Sequence, residues 1–446
     1  MTDNLKPTLA AASLCATLAV WAGLAGAAGF ALIEQSPSQI GNAVAGGAAS
    51  AEDASTIYFN PAGMTQLAGR QIVIGVHGVN PSAEFNNNGS HMNAPLTAFP
   101  LTGGNGGDAG GWGAVPNMYL SWQLSPQWFI GLGVNSPFGL TTDYDSNWIG
   151  RYQAIKSDLM TVNINPSIAY KVNDKISLGA GLSAQYIDAD LTKAIDFGTI
   201  CNGGAPIPAG CGVGLTPQGG DGGQELKANG WGYGFNLGAL FQVSPDMRIG
   251  VAYRSQIKHE LDGDSTYTGV PVALGASRTF QNTSASADLT LPDSASVSVY
   301  QQFGEKWAMM GDITWTHWST FDELRVKFAN GAADNVTPEN WSNTWRISLG
   351  LTYQVNDAWK LRGGVAYDQT PVSDTYRTVR IPDNDRTWLA VGASWRFTPA
   401  ASLDFGYAHL FVKDASINKS EPVSGTVIGT YDNSVDIVSL GLSYRF

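Results

Sequence analysis

From Arg70 to the end of the chain, apolar and polar residues alternate in recurring segments of strand length. The last segment is the plainest. Val438, Leu440, Leu442, Tyr444 and Phe446 fall on one face, and Ser439, Gly441, Ser443 and Arg445 on the other. Trp345, Ile347, Leu349, Leu351, Tyr353 and Val355 repeat it, as do Leu389, Val391, Ala393, Trp395 and Phe397. Successive side chains of a strand point to opposite faces, so each of these strands is apolar on one side only. A soluble sandwich has the same period, and the turns therefore carry more weight. Short polar turns follow Leu124, Val172, Val243, Phe303, Val355 and Phe397, and three lead directly into Trp128, Trp307 and Trp359. An indole has an apolar body and a polar N–H, which suits a membrane–water boundary. Tryptophans at one equivalent height form half of an aromatic girdle.

The alternation predicts strands over 70–79, 115–124, 127–142, 156–172, 175–193, 225–243, 246–263, 284–303, 306–328, 341–355, 358–372, 386–397, 401–413 and 434–446. A lipid-crossing strand needs about 9–11 residues, and bacterial barrels use even numbers of strands. The expected fold is all-β, a 14-stranded antiparallel transmembrane β-barrel. Six short turns then lie on the periplasmic side with both chain ends, and seven longer loops lie outside.

What precedes the strands reads differently. Residues 1–27 carry Lys6, an apolar stretch from Leu9 to Leu24 and an Ala25-Gly26-Ala27 cleavage site, the pattern of an export signal. Residues 28–69 are small and polar, with neither alternation nor an apolar helical face. They read as a hatch inside the lumen of a barrel formed by 70–446; an ordinary N-terminal loop is the alternative. Asn60-Pro61-Ala62 closes this segment, and Asn-Pro marks a turn.

Composition sharpens this picture. Charged residues make up 14% of the chain, against a usual value of about 25%. Glycine is abundant, with 53 residues, and no internal apolar run is long enough for a spanning helix. The net charge of −12 argues against a nucleic-acid partner, which needs clustered Lys and Arg. Cys201 and Cys211 share one Gly/Pro-rich loop, and in an exported chain such a pair suggests a disulfide. No Cys/His metal constellation accompanies them and no cofactor motif is present. His77, His91, His259, His317 and His409 are scattered, with no HExxH or GxSxG, although a Ser/His pair assembled in space stays open.

Two features concern function. The loops 194–224 and 264–283 are long yet apolar, and either bind an apolar compound or cap the barrel by packing on each other. Pro137, Phe138 and Gly139 fall in the middle of the third strand. A proline there breaks the ladder, which in a closed barrel opens the wall. Pro166 interrupts the fourth strand in the same way. A loop boundary placed a few residues late is the other reading.

These residues resemble the FadL family of outer-membrane transporters for long-chain fatty acids and other hydrophobic compounds. The likeness is strongest at Ala28-Gly29-Phe30, Asn60-Pro61-Ala62, Tyr253-Arg-Ser, Leu291-Pro292 and Ile381-Pro-Asp-Asn-Asp-Arg386-Thr-Trp388. The resemblance implies a monomer in the outer membrane, among its lipid and lipopolysaccharide. It implies passive uptake with sideways exit at the kinked third strand. It also implies a lumenal pocket reached by Phe30, with Lys193 holding the ligand carboxylate. A second family lysine falls near Thr337, which is not basic, so either Arg325 or Lys327 substitutes or the ligand is not always a carboxylate. Aromatic-hydrocarbon uptake is the alternative within the family. A lipid hydrolase and a general porin are the rivals outside it.

Overall fold

The computed structural model describes residues 28–93, 99–202, 211 and 215–446. The export signal, and part of the loop 194–224 including Ile207 and Val213, lie outside the described residues. Twenty strand segments form one sheet, and six of them continue a neighbour in the chain across a short break, which leaves fourteen strands. Every pairing between these segments is antiparallel. The sheet closes where the first strand, Arg70–Asn87, meets the last, Gly425–Arg445, in a register running from Gln71↔Arg445 to Asn87↔Gly429. Closure leaves no free edge in a medium that cannot hydrogen-bond the backbone.

The alternation falls as the pattern requires. In the last strand Val438, Leu440, Leu442 and Tyr444 are exposed on the outer wall, and Ser439 and Ser443 are buried inside. Where the short turns return, Trp128 packs on Tyr170, Trp307 on Tyr353 and Trp359 on Trp395, at centroid distances of 4.5, 4.4 and 5.8 Å. These cross-strand pairs build the girdle on the side of the chain ends.

The first and last strands are longer than the pattern predicts. The first continues past residue 79 to Asn87, and the last begins at Gly425 rather than 434. Asn80-Pro81 reads as a terminator, yet Pro81 pairs with Val435. Pairing with the second strand, Gly113–Gln123, has already ended at Val79↔Gly113, so the missing N–H of Pro81 faces no partner.

Residues 28–69 fill the lumen. Three one-turn helices, Pro37–Ile40, Gly47–Ser50 and Thr56–Phe59, and a 3-10 turn at Pro61–Gln66 are almost wholly buried. The Asn60 amide ties this segment together. Its Oδ1 accepts from Ala62 N–H, and its Nδ2 donates to the carbonyls of Ala48 and of Ala239 in the wall, at 2.7 and 3.0 Å. Pro61 opens the 3-10 turn, where its lack of an N–H costs nothing. Glu52 makes ionic contacts with Arg362 at 2.7 Å and Lys360 at 3.3 Å.

Two prolines shape the wall on one side. The third strand is split into Trp128–Asn135 and Gly139–Asp143. Only the first half pairs with the second strand; the other half pairs with the fourth strand alone. At Pro166 the ladder between the fourth and fifth strands skips from Ile164↔Ala184 to Ser167↔Gly181. The Asn165 side chain donates to the Leu182 carbonyl there at 2.6 Å, so that a polar group in the interrupted ladder is still satisfied.

Candidate functional site

The site is built where several strands break at one level. The ninth strand is interrupted between Trp307–Thr316 and Glu323–Phe328, and a single 3-10 turn, Trp318–Thr320, takes its place. That break swings Trp318 and Phe321 inward, and the break after Asn335–Pro338 does the same for Trp341. Phe138 arrives from the kink of the third strand. Phe30 sits among these four rings, with centroids 4.9 Å from Trp318, 5.6 Å from Trp341, 5.9 Å from Phe321 and 6.1 Å from Phe138. Edge-to-face contacts at this range favour a fixed ring position beyond simple burial.

Phe30 forms part of the lining of an apolar cavity holding about 870 Å³ free of protein atoms, counting its mouth. Leu140, Leu159, Leu191, Leu226, Leu261 and Leu289 are among its apolar wall residues. A second, polar chamber of about 660 Å³ adjoins it and contains Lys193, Gln224, Thr337 and Glu421. Leu191, Leu226, Leu324, Val326, Glu339 and Arg380 line both. The two spaces together are amphipathic, with Arg380 at the boundary.

Arg380 lies in the loop that returns between Trp359–Asp368 and Arg386–Arg396. Its guanidinium donates to the carbonyls of Lys156 and Gln153 and to Ser157 Oγ, at 3.0, 3.1 and 2.9 Å. Among the described residues no carboxylate lies within ion-pair distance of it. Burial pulls its pKa down to about 10, which leaves it charged at neutral pH. Glu339 is pushed up to about 7 by burial, and Trp341 Nε1–H donates to its Oε2 at 3.0 Å. A partly buried cation with no carboxylate within ion-pair distance, beside an apolar space, is suited to receive an anion.

The sequence-based candidates divide. Phe30 and Lys193 line these chambers. Arg325 and Lys327 do not, and that expectation is corrected. Leu324 and Val326 point inward, so strand alternation turns 325 and 327 outward. There Arg325 pairs with Glu323 and Asp334, and Lys327 with Asp288. Thr337 lies in the polar chamber, and Arg380 supplies a cation there.

Beside the kink lies a recess in the wall. Ile74, Val76, Leu403, Leu440 and Leu442 line its outer part, and Asn117, Asn135 and Ser136 its inner part. Hatch residues stop it from inside. Leu32 N–H donates to the Pro137 carbonyl at 2.8 Å, Gly139 N–H to the Phe30 carbonyl at 2.9 Å, and Gln35 Nε2 to the Ser136 carbonyl at 2.8 Å. Ala31 and Phe138 thereby form a β-bridge across the opening.

Outside, the two apolar loops pack on each other. Ile195, Phe197, Cys201 and Leu274 are buried together, with Leu215, Tyr267 and Phe280 against them. Cys201 and Cys211 are disulfide-bonded. Ser439 Oγ and His77 Nδ1 approach to 2.7 Å, and Asn117 contacts His77 Nε2 at 2.8 Å. Both Ser439 and His77 are fully enclosed between hatch and wall, which suits a structural polar ladder rather than a nucleophile. Among the described residues no group of three or more His, Cys, Asp or Glu is placed to hold a metal ion.

The model of the family described as outer membrane protein transport protein (OMPP1/FadL/TodX) matches residues 18–446. The long-chain fatty acid transport protein of Escherichia coli O6:H1 is 30% identical over 431 residues, covering 93% of this chain and 94% of the relative. The crystal structure of a Pseudomonas aeruginosa FadL homologue superposes with a TM-score of 0.83 at 27% identity, covering 94% of this chain and all of that one. The toluene transporter TbuX of Ralstonia pickettii shares the fold, with a TM-score of 0.65 at 22% identity over 93% of this chain and all of that one.

Proposed function

From a chain that belongs to the OMPP1/FadL/TodX family of outer-membrane transport proteins, we propose passive uptake of long-chain fatty acids. The ligand lodges its carboxylate on Arg380 and Lys193 and its acyl chain in the apolar cavity floored by Phe30. The observation that carries this reading is Arg380, partly buried, cationic and with no carboxylate within ion-pair distance among the described residues, at the boundary of an apolar and a polar chamber. Each buried CH₂ contributes roughly 0.8 kcal/mol, so the chain supplies most of the affinity and the cations supply its orientation. Release follows when the front of the hatch shifts. The bond pair between Phe30–Leu32 and Pro137–Gly139 then parts, and the ligand leaves sideways through the recess into the membrane.

Uptake of aromatic hydrocarbons is a second reading, favoured by the rings around Phe30. A binding panel of oleate and toluene on purified protein separates the two. Arg380→Ala is expected to weaken oleate binding by about tenfold or more and to leave toluene unchanged. If Arg380→Ala binds oleate as the wild type does, the carboxylate reading is wrong. Purified protein is expected not to cleave esters and not to admit sugars to liposomes, which the hydrolase and porin readings require.

A further inference from the structure

The front of the hatch ends in a buried ionic cluster. Glu34, Asp368 and Asp383 are 1%, 4% and 5% exposed, and Arg346 and Arg386 are each 5% exposed. Arg386 holds Asp383 at 2.5 Å. Arg346 donates to the Ala43 carbonyl at 2.6 Å and lies over the Trp388 ring. Both guanidiniums act on Glu34 and Asp368. Arg377, also buried, is already paired with Asp374. Three carboxyl groups therefore face two cations. Among the described residues Oδ2 of Asp368 and Oε2 of Glu34 are buried without a hydrogen-bond partner. The backbone N–H of Ala28, itself only 6% exposed, donates to the Asp368 carboxylate, and Gly29 N–H donates to Asp383 Oδ2 at 2.8 Å. Ala28 is the residue that follows the Ala25-Gly26-Ala27 cleavage site.

We propose that this cluster is a binding site for a primary ammonium, and that its ligand is the α-ammonium of Ala28 released by export processing. A signal peptidase catalyses addition of water across the Ala27–Ala28 amide. Ala27 leaves as a carboxylate, and the Ala28 nitrogen takes up protons to become an ammonium. Before cleavage that nitrogen offers one N–H and no charge; afterwards it offers three N–H donors and one positive charge. The added charge balances the third carboxylate, and the added donors reach the unpartnered Asp368 oxygen. A buried charge lacking a counterion is strongly unfavourable, so without the ammonium the third carboxyl stays protonated, burial pushing Glu34 up to about 7, and the ammonium lets it ionise. Four residues later Leu32 is held by Pro137, so the ammonium anchors the segment that stops the wall opening. In the processed chain the ammonium locks that segment in place.

The test reads the α-amine in the exported, full-length processed protein in detergent, using a water-soluble acylating ester at pH 7 and mass spectrometry of the N-terminal peptide. The peptide is expected to begin at Ala28 and to label about tenfold more slowly in the folded protein than in guanidinium. The exposed Lys175 serves as the control that labels in both. Asp368→Asn is expected to bring Ala28 labelling close to the unfolded rate. A chain with Gly-Ser inserted between Ala27 and Ala28 leaves the wall intact, and its Leu32 amide is expected to exchange about tenfold faster. A different N-terminal residue, equal labelling in the folded and unfolded states, or wild-type exchange in the extended chain would overturn the proposal.

Discussion

At the scale of single residues, the two cations expected on the ninth strand and the one found in a loop show what alternation can and cannot tell. Leu324 and Val326 already implied that Arg325 and Lys327 face outward, because neighbours on a strand share no face. Arg380 was beyond that reasoning. It sits in a loop that folds back into the lumen, and no period in the sequence encodes such a return. The adjacent run Ile381 to Trp388 was the nearest signal. Glu339 makes the cation pair dependent on pH. Burial raises its pKa to about 7 from an unfolded value of 4.5. Its contribution to stability is therefore fully present below about pH 4.5 and lost as pH rises through about 7. Once ionised, it also competes with a ligand carboxylate for Arg380. Oleate affinity is expected to fall roughly three- to tenfold between pH 6 and pH 8, with toluene affinity flat. Glu339→Gln removes the oleate dependence. Isothermal titration across that range decides it, and an unchanged slope in Glu339→Gln would assign the effect to another group.

At the scale of elements, most strands were legible because lipid on one side and the hatch on the other enforce a period of two. The ends were less so. Pro81 reads as a stop, yet the first strand passes through it because only one neighbour is present there. The kink of the third strand shows the opposite case. Its proline does break a ladder, and Pro116 lies across the recess in the second strand, where pairing to the third runs only over Met118–Gln123. The two strands thus do not pair with each other over this stretch, which a rigid wall would not tolerate without a stopper. Pro137→Thr combined with Gly139→Val restores a donor and strand propensity at the break. Uptake into cells or vesicles is expected to slow by about tenfold, with equilibrium oleate binding nearly unchanged because the cavity is lined by other residues. Wild-type uptake by a correctly folded variant would exclude sideways exit.

At the scale of the molecule, the abundant glycine finds its reason in how hatch and wall meet. A Cβ on Gly238 would fall 1.9 Å from Asn60 Oδ1, one on Gly250 would fall 1.9 Å from the Ala48 carbonyl oxygen, and one on Gly364 would fall 2.2 Å from the Asn42 carbonyl carbon. Wall glycines thus let the hatch, through its backbone and the Asn60 amide, sit directly on the wall backbone, and composition alone reported their number without their purpose. Contact this close argues against withdrawal of the whole hatch during each transport event. The region from Pro37 to Gln66 is held by such sockets and by Glu52 against Arg362 and Lys360. The residues before it, 28–36, are the ones that touch both the cavity and the wall opening. The economical cycle therefore moves the front of the hatch and leaves its body seated. A tether separates these alternatives. The Cβ position at Gly350 lies 3.0 Å from Ala45 Cβ, and a disulfide prefers about 3.5–4.5 Å, so Ala45→Cys with Gly350→Cys bridges after a small shift. Cys201 and Cys211, already bonded to each other, leave the new pair to close on itself. The oxidised variant is expected to transport oleate at close to the rate of its reduced form. Loss of uptake on oxidation, restored by reductant, would show instead that the body of the hatch has to leave its seat.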